Sequence, residues 1–290
     1  MASLKEIKGR INSIRGTLKI TSAMKMVASS KLHKSQEAIE NMLPYESKLH
    51  QILNDLLSAG ININTPYAIQ RPVEKIALVV FASNSSLCGG YNMNIIKSFE
   101  GAINEYSEKI GKENILVYPV GKKIADAVKK SGFTPMGDYQ HMSGKPNYNE
   151  TVQLAIELTE KFKKGEIQKV ELIYNHFKST STQVLTRETY LPLDIATKDK
   201  ESMLTVDMDY IIEPNAETVI KALLPKVLKM KIYTVLLDAS AAEHAARTMA
   251  MQIATDNAND MIQELTLMYN KSRQQAITNE LLDIVGGTMA

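Results

Sequence analysis

The stretch LKEIKGRINSIRGTL, residues 4–18, decides the fold. Its apolar residues Leu4, Ile7, Ile11, Ile14 and Leu18 recur at alternating steps of three and four. That is the seam of a coiled coil and not the wider stripe of a globular helix. From Ser3 to Ala59 the only proline is Pro44, and the early glycines Gly9 and Gly16 interrupt a pattern that is otherwise helical throughout. The stripe is read as shifting to Ile20, Met24 and Val27, then resuming after Pro44 as Leu49, Leu53 and Leu56. Pro44 is expected to kink this helix without ending it.

The other end of the chain repeats the signal. No proline follows Pro225, and no glycine appears between Gly165 and Gly286. The expected seam runs Ala239, Ala242, Ala246, Met249 and Ile253, then Met261, Leu265 and Met268, and finally Ile277, Leu281 and Ile284. At 1.5 Å per residue, roughly 55 to 60 residues make a rod about 80 to 90 Å long. That exceeds the dimensions of an ordinary domain of this size. A helix this long with a narrow apolar seam must bury it, and the nearest partner is the other terminal helix. The two pair antiparallel if the middle of the chain sits at one end.

Between the ends, roughly from Val73 to Lys200, the period changes. KIALVVFA, residues 75–82, is a short apolar run of buried-strand type, and NILVYP, residues 114–119, repeats it. Between these runs Ile95, Phe99, Ala102 and Tyr106 recur at helical spacing, and another helix begins at Ile124 after Gly121. A third helix is expected from about Glu150 to Lys164, followed by a strand over 170–177, a turn at Ser179, Thr180 and Ser181, and a strand over 182–191. Alternating strand and helix argues a small sheet with helical crossovers that ends in an antiparallel hairpin. The expected fold class is α/β plus a long antiparallel coiled coil. The terminal helices pair as a shaft over residues 1–59 and 209–290, with a small Rossmann-like α/β middle domain, 73–200, at one side.

A chain of 290 residues with 44% hydrophobic content can bury a proper core, and 23% charged residues favour solubility. No run of eighteen apolar residues exists, so no helical membrane span is expected. The start, MASLKEIKGRI, enters the heptads at once and carries no apolar signal core, so no targeting segment is expected. Cys88 is the single cysteine, which excludes an internal disulfide and a cysteine-based zinc site and fits a reducing compartment.

The net charge of +2 is small, but its distribution is uneven. Up to Gln36 the chain carries Lys5, Lys8, Arg10, Arg15, Lys19, Lys25, Lys31 and Lys34 against Glu6 alone. Such a run reads as a solvated helix face, or as a surface for an acidic protein, nucleic acid or an anionic membrane. The segment has no aromatic residue for base stacking and no nucleic-acid reading motif.

No catalytic constellation stands out. The loop ASNSSLCGGYN, residues 82–92, follows the first strand where phosphate-cradling loops occur, yet it contains neither GxGxxG nor GxxxxGK[ST]. It reads as a tight strand-to-helix turn. Cys88 has no histidine nearby in sequence and reads as a packed small side chain. The histidines, at 33, 50, 141, 176 and 244, form no HxxH or HExxH pair, so no metal site is expected. Glu280 and Asp283 have the spacing of an ordinary helix-surface pair. Fifteen methionines at largely heptad spacing read as core filler. No cofactor is expected.

Several segments resemble the gamma subunit of the F-type ATP synthase, and the resemblance covers nearly the whole length. ITSAMKMVASSK, residues 20–31, resembles that family's N-terminal helix, and LCGGYN, 87–92, its strand-to-helix turn. DYIIEP, 209–214, resembles the lead-in to its second long helix. EHAARTMAM, 243–251, and ATDNA, 254–258, are similar to the most distinctive stretch of that helix, and ITNELLDIVGG, 277–287, to the C-terminal signature. Two departures are visible. Thr288 stands where the family usually has alanine, and Asn84-Ser85-Ser86 stands where it usually has Asp-Arg-Gly. The two-cysteine regulatory insertion of the chloroplast members is absent.

The resemblance implies a non-catalytic rotor: a coiled coil inside a ring of alternating alpha and beta subunits, with its foot on a ring of membrane c subunits. It implies beta-subunit contacts at Met24, Lys25, Arg247, Gln252, Thr255 and Asp256, and a bearing at Ile284 and Val285. Tyr210 and Glu213 would lie at the foot, near the epsilon subunit and the c ring. It implies neither nucleic acid nor a span of its own, and a peripheral place on the cytoplasmic face of a bacterial inner membrane. A competing reading is a coiled-coil adaptor that applies its basic helix to nucleic acid or acidic proteins. A third is an enzyme built on the middle domain.

Overall fold

The computed structural model describes residues 3–58, 65–193, 212, 213 and 215–288. Helix α1 spans Leu4–Ser58 and α6 spans Ala216–Thr288. Between them lie β1 (Ile76–Phe81), α2 (Tyr91–Ile110), β2 (Ile115–Val120), α3 (Lys122–Lys130), α4 (Gln140–Gly144), α5 (Tyr148–Lys163), β3 (Lys169–Phe177) and β4 (Gln183–Leu191). The expected strands, crossover helices and hairpin all form. The short α4 has no counterpart in the sequence reading.

The sheet has the order β2-β1-β3-β4, with β1 parallel to both neighbours and β4 antiparallel on one edge. A central parallel strand is covered on both faces, which is why β1 reads as continuous apolar residues and not as an alternation. Ile76, Leu78 and Val80 face α2 and α3 through Ile95, Phe99, Ile124 and Val128. Ala77, Val79 and Phe81 face the opposite way, onto Leu154, Leu158 and Phe162 of α5 and the lower part of α6. Gly121 makes the β2 to α3 turn at φ +112, where an added Cβ would lie 2.1 Å from the Ala82 carbonyl oxygen. Only glycine fits that approach.

The terminal helices form the largest interface in the molecule. Helix α1 runs through Pro44 unbroken, as expected. Helix α6 lies within the expected 209–290 and runs through Pro225 for 73 residues, a rod of about 110 Å, longer than the roughly 55 to 60 residues used for the rod estimate. Thr255 Oγ1 lies 3.0 Å from Thr21 Oγ1, and Ser35 Oγ lies 3.3 Å from Ser240 Oγ, so the pairing is antiparallel.

The seam itself differs from the sequence reading. In α1 the stripe does not shift after Leu18: Ile7, Ile11, Thr21, Ala28, Leu32 and Ser35 are buried, with Ile14, Leu18 and Lys25 half-buried between them. Those positions keep the heptad register throughout. Ile20 and Val27 are 62% and 58% exposed, and Met24 is half-buried. In α6, Ala241 and Ala245 pack against Leu32. Met251 and Ala258 are buried with Thr255 half-buried between them. Ala242 and Ala246 pack against the middle domain and not against α1. Met249, Ile253, Met261, Met268, Ile277, Leu281 and Ile284 are exposed, and Leu265 is half-buried. On α6 small side chains take much of the contact, which lets the two backbones approach, and most of the larger apolar residues of its upper half are turned outward. The side chain of Leu56, and Ala59, lie outside the described residues.

Ala245→Leu inserts volume into this seam and is expected to cost about 1–3 kcal/mol. Met268→Ala, on the outer face, should stay within about 0.5 kcal/mol. Thermal unfolding of the two variants checks the assignment; equal midpoints would contradict it.

Candidate partner-binding surface

Three surfaces are left by this packing. The first is the tip of α6. Carrying the register of Thr21 with Thr255 to the start of α1 sets Leu4 opposite the turn around Ser272. Beyond that point α6 runs on past its partner, and Ile277, Leu281, Leu282, Ile284 and Val285 are all exposed on it. The expected bearing residues Ile284 and Val285 therefore sit on a projecting apolar helix.

The second surface is the outer flank of the shaft. Ile20, Met26 and Val27 on α1 and Met249, Ile253, Met261, Leu267 and Met268 on α6 are exposed apolar residues. They are accompanied by the basic run. Lys5, Lys8, Arg10, Arg15, Lys19, Lys31 and Lys34 are exposed, Lys25 is half-buried, and none of these eight lies in an ion pair among the described residues. The antiparallel register brings Met24 and Lys25 to the level of Gln252 and Thr255. Gln252 Nε2 donates to the Asp256 carboxylate at 2.8 Å, within one turn of α6. Met24, Lys25, Gln252 and Asp256 thus lie on one level of the rod, and Thr255 on the same level is turned into the seam against Thr21.

Arg247 departs from that band. It is 8% exposed and its partners lie inside the chain. Its Nη2 donates to Glu243 Oε1 at 2.7 Å and to Ser85 Oγ at 2.9 Å, and its Nη1 to the Ser86 carbonyl at 3.4 Å. The loop that departs from the resembled pattern is the one that holds this arginine. Ser85, Ser86 and Glu243 stand out in the sequence as a loop departure and a motif residue, but not as partners of Arg247; the i, i+4 spacing of Glu243 and Arg247 is the one available signal. Burial pushes the Glu243 carboxyl up, while Arg247 and Lys31 pull it down. His244 is lowered to about 4 by burial and by the positive charges of Lys31 and Arg247. It is a neutral imidazole at neutral pH.

The third surface is the junction of shaft and middle domain, and it is tied at several points. Tyr91 Oη donates to the Ala239 carbonyl at 3.0 Å and Tyr190 Oη to the Leu228 carbonyl at 3.0 Å. Asp238 accepts from the Phe177 N–H at 2.8 Å and pairs with His176 Nδ1 at 2.6 Å. Lys231 pairs with Glu188 at 2.9 Å. Below the junction Glu213 is exposed just ahead of α6; Tyr210 lies outside the described residues.

The loop at 82–92 is a strand-to-helix turn organised by its own side chains. Asn92 Oδ1 accepts from the Ser83 N–H at 3.1 Å, Leu87 has φ +67 and Cys88 is buried. Among the described residues no group of three or more His, Cys, Asp or Glu could hold a metal ion. None of their helices is long and apolar enough to cross a membrane.

A family model described as ATP synthase matches residues 3–290. The ATP synthase gamma chain of Phocaeicola vulgatus is 62% identical over 290 residues, covering 100% of each chain. That of Bacteroides fragilis is 60% identical, again over 100% of each. Among solved structures, the rotor of the Euglena gracilis mitochondrial ATP synthase aligns with a TM-score of 0.62 at 17% identity, over 94% of this chain and 98% of that one. The central stalk and c-ring structure from Tetrahymena thermophila aligns with a TM-score of 0.57 at 21% identity, over 81% and 99%. At those identities the structures establish a shared fold; the full-length relatives establish the lineage. A two-helix shaft clamped to a small α/β domain, matched from end to end at this level, belongs to the ATP synthase gamma chain family.

Proposed function

We propose that this chain is the central rotor shaft of an F-type ATP synthase, with no catalytic residues of its own. It couples ion flow through a membrane c ring to ATP synthesis and hydrolysis at beta-subunit sites. The observation that carries the reading is the apolar row of α6, Met261 through Ile284, which α1 leaves uncovered along a rod of 73 residues. A row of that length calls for a surrounding protein surface.

Family membership over the full length leaves the nucleic-acid adaptor and the middle-domain enzyme without support. In the proposed assembly the shaft stands inside a hexamer of alpha and beta subunits, its foot carries the epsilon subunit and the c ring, and the whole is peripheral on the cytoplasmic face of a bacterial inner membrane. The functional units are 1–59, which carries α1, the middle domain 73–200, and 209–290, which carries α6. Tyr210 and Glu213 serve the foot, and Ile284 and Val285 turn in an apolar sleeve.

Rotation needs asymmetry more than chemistry. One shaft in a threefold ring presents a different face to each of three chemically identical sites, so each site's conformational equilibrium is biased differently. Met24, Lys25, Gln252 and Asp256 offer contacts to beta on one level of the rod, Thr255 acts there through its tie to Thr21 of α1, and the basic face of α1 suits an acidic loop on beta. Arg247 has a second role available: it ties the rod to the middle domain, so its influence on beta is exerted through the position of α6 as well as by contact.

Native mass spectrometry of complexes captured through a tag in the middle domain tests the reading; one copy per three alpha and three beta subunits is expected, and capture without them would overturn it. Lys25→Glu should leave assembly intact while lowering the ATP synthesis rate about threefold to tenfold, the effect of ~1 kcal/mol at one charged contact. Arg247→Ala leaves Glu243 buried without its partner and should destabilise the junction by about 3 kcal/mol. Adding Glu243→Gln to that variant should recover part of the loss, which denaturant unfolding of the single and double variants would measure.

A further inference from the structure

A cavity of about 490 Å³ lies where the start of α2, the β3–β4 hairpin and the outer flank of α6 meet. Neither the seam nor the junction contacts use it. Its volume falls within the range of small-ligand sites.

One wall carries hydrogen-bond donors. Gly89 and Gly90 line the cavity at the N-terminus of the 20-residue α2, and neither N–H donates to another group among the described residues. Gly90 is the N-cap and supplies no side-chain cap, so the partial positive charge of the helix end is left to the cavity. Asn175, on the face of β3 turned toward α2, also lines it. This residue is only 3% exposed, and its side-chain amide, reached from the cavity, makes no hydrogen bond among the described residues. Buried side-chain amides are nearly always matched, so an unmatched one lining a cavity asks for a partner from outside the chain.

The opposite wall is apolar. Met249 and Ile253 of α6 form it, with Ala246 and Ala250 giving it depth. No lysine, arginine, aspartate or glutamate lines the cavity. Neutral donors and a helix end suit a single negative charge; a dianion would call for fixed cations.

We propose that this cavity binds a small monocarboxylate on an apolar body. The carboxylate accepts from the Gly89 and Gly90 N–H groups and from Asn175 Nδ2, and the apolar body lies on Met249 and Ile253. A ligand held here touches α2, β3 and α6 together, so it adds a tie between the middle domain and the shaft.

The probe is hexanoate, titrated into the full chain carrying ¹³C-labelled methionine and isoleucine methyl groups. Saturable shifts at Met249 and Ile253 are expected, with no such shifts from hexanol or from inorganic phosphate over the same concentrations. Asn175→Leu should raise the Kd about tenfold, the loss of one charge-assisted hydrogen bond. Ala250→Trp fills the cavity from the exposed flank of α6 and should abolish the shifts while the remaining methyl spectrum stays in place. That second variant keeps the test decisive if Asn175→Leu fails to fold. Absence of saturation with hexanoate, equal shifts from hexanol or phosphate, or unchanged affinity in either folded variant would overturn the proposal.

Discussion

Everything in this molecule depends on how closely α1 and α6 approach. The contact is built from alanine, serine and threonine as much as from large apolar residues: Ala28 and Ser35 on one helix, Ala241, Ala245 and Ala258 on the other, with Thr21 meeting Thr255. Small side chains reduce the apolar area buried per turn but bring the two backbones together. The consequence is a division of labour along α6. Its lower part is enclosed by the sheet, α5 and α1, whereas its upper part buries only one narrow edge and turns methionine, leucine and isoleucine outward.

The middle domain is fastened to this rod by polar contacts added to an apolar base. Tyrosine hydroxyls reach backbone carbonyls of α6 from both α2 and β4, and Asp238 of α6 reaches back to the end of β3. Backbone carbonyls inside a helix already accept one bond each, and the hydroxyls use the second lone pair. These ties anchor side chains to fixed points of the helix and not to mobile surface groups. A domain held at several heights along a helix cannot slide or swivel without breaking several of them together.

The alternation of strand and helix from Lys75 to Leu191 was legible because parallel strands need continuous apolar runs and their crossovers need amphipathic helices. The two long helices were legible from heptad spacing and from the scarcity of breakers. The seam was misread for a definite reason. Periodicity marks apolar residues, which served for Ile7 to Leu18 and for Leu49 and Leu53, but on the upper part of α6 the most apolar row is the one turned away from the partner helix. Thr21, Ser35 and Thr255 belong to the true seam but carry hydroxyls, so a hydrophobic pattern passes over them. Arg247 matched a recognised motif, yet its partners Ser85 and Ser86 lie more than 160 residues earlier, in a loop with no motif that points to a helix. The donor wall around Asn175 is similarly invisible in one dimension, because it is assembled from two separated elements, the start of α2 and β3.

The unequal lengths of the two helices have a mechanical consequence. A rod's resistance to bending rises steeply with its cross-section, so the paired and domain-braced region of α6 is stiff and the single helix beyond the turn around Ser272 is compliant. Elastic deformation under load then concentrates in the last few turns of the chain. The tip can bend without disturbing the alignment of the braced shaft below it, as a flexible coupling does at the end of an axle.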